Sequence, residues 1–135
     1  MIGLVAQFLV ALLAFAVLDG LWLGVVMGQF YRAHLAPLAR MDANGLAPLW
    51  SVAGLVYLLL AAGTVGFVVS RSSTVGSAAL WGALFGLVVY GVYDLTNMAT
   101  LRAWSPVLTI VASAWGTAAC ATAGAVTFMA GQAWR

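Results

Sequence analysis

The chain has 135 residues, 65% of them hydrophobic and only 6% charged, whereas a soluble domain carries roughly a quarter charged. Its ionic inventory is Arg32, Arg40, Arg71, Arg102 and Arg135 against Asp19, Asp42 and Asp94, a net charge of +2 that is too small and scattered for a nucleic-acid partner. The single cysteine, Cys120, and the single histidine, His34, exclude an intrachain disulfide and a metal site built on several Cys or His ligands.

Four apolar stretches follow one another, from Ile2 to Gly28, Leu46 to Val69, Ser77 to Leu101 and Pro106 to Ala133. Each can cross about 30 Å of hydrocarbon at about 1.5 Å per residue. The first has no basic region after Met1, is longer than the apolar part of a secretory leader and is interrupted by Asp19. It therefore reads as a permanent helix. The loop from Tyr31 to Asp42 follows, with His34 and Asp42 as solvated side chains. Asn44-Gly45 precedes the second helix and Pro48 stands in its first turn. Ser77 is the expected N-cap of the third. Ser105-Pro106 gives the fourth an N-cap followed by Pro at the first helical position.

The alternation of a transmembrane barrel is absent. The expected fold is all-α, a compact bundle of four transmembrane helices forming one domain over residues 1–135. Helices one and three each carry an aspartate in their second half and then an exit loop with an Arg and an aromatic, which suggests two parallel two-helix units. An even number of spans places both termini on one side. Arg32, Arg40 and Arg102 fall on one face and Arg71 and Arg135 on the other, a margin of one that sets no orientation. Small residues recur every four positions at Gly20, Gly24 and Gly28, at Ala78, Gly82 and Gly86, and at Ala112, Gly116, Cys120 and Gly124. Such stripes let helices approach closely in lipid, and they make Cys120 a packing residue rather than a reactive thiol.

The polar residues inside the spans carry the functional reading. Asp19 and Asp94 both lie about 12–14 Å below the same face, by helix rise. A charged side chain costs roughly 2.5–3.5 kcal/mol at the bilayer centre and less at this depth. The helix dipole gives no help, since both stand toward the negative ends of their helices. Asp19 shares a helix face with Phe15, Trp22, Leu23 and Val26. Asp94 shares one with Tyr90, Asn97, Met98 and Leu101. Arg32 and Arg102 follow the two helices and are long enough to reach back. Helices two and four bring Tyr57, Thr109, Ser113, Trp115 and Thr117 to similar depth. The expectation is one polar pocket in one leaflet, lined by Asp19, Trp22, Arg32, Tyr57, Tyr90, Asp94, Asn97, Arg102 and Trp115. The competing reading is structural, with each acid locked to an Arg or Tyr, or simply protonated, since burial disfavours the charged form, and no ligand. Trp104 and Trp134 read as interfacial anchors.

Leu18-Asp19-Gly20-Leu21-Trp22-Leu23-Gly24, Phe30-Tyr31-Arg32, Tyr93-Asp94-Leu95-Thr96-Asn97-Met98-Ala99-Thr100-Leu101 and Trp115-Gly116-Thr117 together resemble a bacterial membrane-protein family catalogued as domain of unknown function 2177. The resemblance covers nearly the whole chain, and the segment from Tyr93 to Leu101 is its specific part. It implies a small protein of the bacterial inner membrane and supplies no activity. The family pattern commonly has an acid three positions before the Trp of Trp115-Gly116-Thr117; here that position is Ala112.

Three functions fit. The first is binding or transport of a small polar molecule, a lipid headgroup or a proton-coupled substrate, since intramembrane acids mark such sites. The second is an accessory subunit of a larger membrane complex. The third is a membrane enzyme of lipid or isoprenoid metabolism with one acid as general base; no nucleophile-base set, metal motif or phosphate loop supports it. No cofactor is implied. The expected partners are membrane lipids and a second copy or a larger membrane complex.

Overall fold

The computed structural model describes residues 1–134; Arg135, counted above in the charge balance, lies outside them. Four of its helical segments are long and apolar enough to cross a membrane: Ile2–Val26, Trp50–Arg71, Val75–Thr100 and Pro106–Gln132. Among the described residues the protein is all-α apart from one two-stranded ribbon with two residues in each strand.

Helix α1 (Ile2–Leu21) runs on through a π-helical turn, Trp22–Val26, closed by the Met27 amide donating to the Trp22 carbonyl at 2.7 Å. This wider turn ends the span and redirects the chain. A second helix, α2 (Gly28–Leu35), forms where the sequence suggested loop. The ribbon β1 (Met41–Asp42) and β2 (Gly45–Leu46) comes next, antiparallel, pairing Met41 with Leu46 and Asp42 with Gly45. The Asp42 carboxylate accepts from the Asn44 amide at 2.7 Å, and Gly45 supplies the left-handed backbone, φ +122°, that a side chain would resist.

Helix α3 (Trp50–Gly63) starts two residues past Pro48, with Leu49 as its cap, and ends through a π-helical turn, Thr64–Val68, and a short 3-10 turn, Val69–Arg71. Helix α4 (Val75–Thr100) is capped by Thr74 rather than Ser77. The Ser77 amide donates to Thr74 Oγ1 at 3.1 Å while Ser77 Oγ accepts from the Thr74 amide at 3.0 Å. This reciprocal box satisfies two free amides, where a Ser77 cap would satisfy one. Helix α5 (Pro106–Gln132) starts as its sequence dictates, with Ser105 Oγ accepting from the Leu108 amide at 3.0 Å and Pro106 in the first turn.

Helix α5 is the most enclosed of the four. It packs along α4 on one side and α1 on the other, with α3 against α1 and the second half of the second span against α4 and α5. The α4–α5 contact is a backbone approach. A methyl group on Gly82 would overlap the Cys120 carbonyl, one on Gly86 the Gly116 carbonyl, and one on Gly124 the Ala78 carbonyl. These pairs step in opposite directions along the two helices, so the pair is antiparallel. The glycines of α1 behave differently. A methyl group on Gly20, or on Gly24 in the π-helical turn, would meet nothing within 4 Å, and both glycines face outward. Phe15, Leu60, Cys120 and Ala123 bury one another at the centre, with Tyr57, Phe85 and Tyr90 packed around them. Val69, Ala78 and Phe128 form a second cluster.

Candidate functional site

Both intramembrane aspartates turn inward and meet α5, at positions two residues apart. Asp94 is 1% exposed and accepts from Ser113 Oγ at 3.0 Å. Asp19 is also buried and accepts from Trp115 Nε1 at 2.9 Å, with the Tyr57 hydroxyl beside the same carboxylate. The spacing explains the pairing. Ser113 and Trp115 are two residues apart on α5, about 200° around the axis at about 100° per residue. One therefore points to α4 and the other to α1, and α5 serves both acids from opposite flanks. A carboxylate can accept about four hydrogen bonds, so each keeps open capacity.

Between these groups lies a cavity of about 260 Å³. Asp19 and Leu23 of α1, Tyr90, Tyr93 and Asp94 of α4, and Leu108, Ala112 and Trp115 of α5 form its walls. Tyr31 and Leu35 of α2, Leu46 of the ribbon and Trp104 of the α4–α5 turn complete its lining. The wall is held by aromatic contacts. Trp22 stacks flat on Trp115, ring centres 4.3 Å apart and planes 1° from parallel. Its own Nε1 donates to the Tyr31 hydroxyl at 3.1 Å, which ties α2 down onto the bundle. Burial pushes the Tyr31 phenol up, so the hydroxyl stays protonated and can donate while it accepts from Trp22. Trp104 Nε1 donates to Thr109 Oγ1 at 3.0 Å, and the Trp104 ring meets Tyr93 edge-on.

A family model described as predicted membrane protein, DUF2177, matches residues 4–129. The chain belongs to that family. The match takes in both aspartates, all of α2 and every residue of the cavity wall. The family is one of unknown function. No curated protein and no solved structure matches the chain.

Of the nine residues singled out in the sequence of this family member, Asp19, Tyr90, Asp94 and Trp115 share the cavity wall. Trp22 and Tyr57 stand behind them, on Trp115 and on Asp19 respectively. Asn97, Arg32 and Arg102 do not line it. Arg32 donates instead to the Asn44 carbonyl at 2.9 Å, pinning α2 to the ribbon turn, and lies on a separate open hollow outside α1. Arg102 is exposed in the α4–α5 turn. An arginine at a helix end meets water and backbone carbonyls within reach, and turning it inward would cost its hydration.

Tyr31, Tyr93, Trp104 and Leu108 are wall residues that sequence spacing did not select. Only Tyr31 carried a usable signal, as the aromatic beside Arg32 in a segment now seen to be helical. Among the described residues no three His, Cys, Asp or Glu side chains stand together as metal ligands.

Proposed function

We propose that the protein binds a small molecule or a lipid headgroup in the cavity between α1, α4 and α5, and that Asp19 and Asp94 are the groups that hold it. One observation supports this above the others. Two carboxylates carried by different helices face the same half-open space, each anchored by a single hydrogen bond from α5 that leaves further acceptor capacity. Purely structural acids would be expected to have their capacity filled by the protein, because unsatisfied buried polar groups are costly. A transport role would extend the same reading. It calls for a second copy, since one four-helix chain leaves little room for a path, and the outward-facing Gly20 and Gly24 offer α1 a place to meet one.

Native mass spectrometry of the full chain released from lipid nanodiscs tests the reading. The wild type is expected to retain one small-molecule or lipid adduct. Ala112→Phe, which fills the cavity while both carboxylates stay, is expected to lose it. Identical spectra from both proteins, with one stoichiometric membrane protein co-purifying, would replace this reading with an accessory role. A lipid profile that changes on deletion, and is restored by wild type but not by Asp94→Asn, would replace it with a lipid enzyme.

A further inference from the structure

Resting on that reading, we infer that the cavity is a site for an organic ammonium group carried on an apolar body. The indole and guanidinium donors that an anion would need are engaged elsewhere or turned away, which leaves only tyrosine hydroxyls in the wall. Trp22, Trp104 and Trp115 direct their indole N–H groups to Tyr31, Thr109 and Asp19. Arg32 is turned to Asn44 and Arg102 is exposed. The wall therefore offers a phosphate or carboxylate little to bind, and it places two carboxylates in its way.

What the wall does offer is acceptors and ring faces. Asp19 and Asp94 present carboxylate oxygens, and Tyr31, Tyr90, Tyr93, Trp104 and Trp115 surround the space with aromatic rings. Rings of this kind attract cations through their quadrupole, most strongly where water is excluded, and such cages recognise quaternary ammonium groups. The flat stack of Trp22 on Trp115 fixes one cage wall before any ligand arrives. Among the described residues no arginine bonds either carboxylate, so a bound cation would supply the countercharge that they do not bring to this depth.

Size limits the ligand. A space of about 260 Å³ is below the roughly 300–1,000 Å³ of pockets that swallow a drug-sized molecule whole. It suits a head rather than a whole amphiphile. The apolar remainder would lie along Leu35, Leu46 and Leu108 toward the lipid.

The test uses three probes of one shape: benzyltrimethylammonium, its neutral carbon isostere neopentylbenzene, and the anion benzylsulfonate. Each is titrated by isothermal calorimetry into the full chain in non-ionic detergent. The ammonium is expected to bind one per chain, and roughly tenfold or more weaker in Asp19→Asn and in Asp94→Asn. Ala112→Phe, with both carboxylates intact, is expected to abolish binding, and circular dichroism and gel filtration confirm that each variant stays folded.

Repeating the titration in nanodiscs separates two sources of the ammonium. A roughly tenfold weaker affinity in phosphatidylethanolamine than in phosphatidylglycerol, after correction for the accumulation of the cation on empty nanodiscs of each lipid, would identify a lipid headgroup as the resident ligand. Equal affinity would identify a free lipophilic amine. Tighter binding of the isostere or the anion, lost in Ala112→Phe, would overturn the ammonium assignment and keep the cavity as a binding site. Ammonium binding that is unchanged in all three variants would overturn both.

Discussion

Replacing Trp115 by Phe removes one hydrogen-bond donor from Asp19 and leaves a ring against Trp22. The bond is 2.9 Å long and its acceptor is a buried carboxylate. A hydrogen bond to a charged group contributes about 1.5–3 kcal/mol in soluble proteins. Bonds inside membranes average about 0.6 kcal/mol and reach about 1.7, because the unfolded chain in lipid finds other partners. Trp115→Phe is therefore expected to cost about 1.5 kcal/mol, near the top of that range. In an Asp19→Asn background the acceptor oxygen remains but the charge is gone, and the same replacement is expected to cost about 0.5 kcal/mol. The difference, about 1 kcal/mol, is the coupling between the indole and the carboxylate charge. Unfolding in mixed micelles of rising dodecyl sulfate fraction, followed by ellipticity, measures all four corners of the cycle. Trp115→Phe within about 0.5 kcal/mol of wild type, the ordinary effect of a surface change, would refute the role given to this bond. Equal losses in both backgrounds would refute the charge argument while leaving the bond.

Two further predictions concern packing. Gly86→Leu places a side chain against the Gly116 carbonyl, a backbone group that cannot rotate away, and is expected to cost about 3 kcal/mol. Gly24→Leu has open space around it and is expected to stay within about 0.5 kcal/mol of wild type in the same micelle titration; the reverse order would contradict the α4–α5 register. Cys120 is fully buried among Phe15, Leu60 and Ala123, so a water-soluble maleimide is expected to label it only after unfolding. Labelling of the folded protein within minutes would show that the central cluster is open.

The four spans were legible because they depend on local quantities alone: length, hydropathy and the residues at helix ends. Ser105-Pro106 starts α5 as written, since a cap is a contact between residues three apart. The matched depth of Asp19 and Asp94 was legible for a similar reason, as helix rise is the same in any helix. Direction around the axis was less accessible. Tyr90 and Asn97 share a helical face with Asp94, yet Tyr90 lines the cavity and Asn97 does not, because the neighbours on each turn differ.

Some features exist only in the folded chain. Helix α2 is held over the cavity by Trp22 on Tyr31 and by Arg32 on Asn44, bonds spanning 9 and 12 residues. The outward turn of Gly20 and Gly24, against the buried glycines of α4 and α5, has no local signature, since all sit in the same four-residue spacing. The meeting of Asp19 with Trp115, 96 residues apart, depends on α5 lying between α1 and α4. The amino-acid order set which segments enter the membrane and how deep each acid lies, because burial in lipid is decided segment by segment. Packing set which groups face each other, because that choice belongs to pairs of helices.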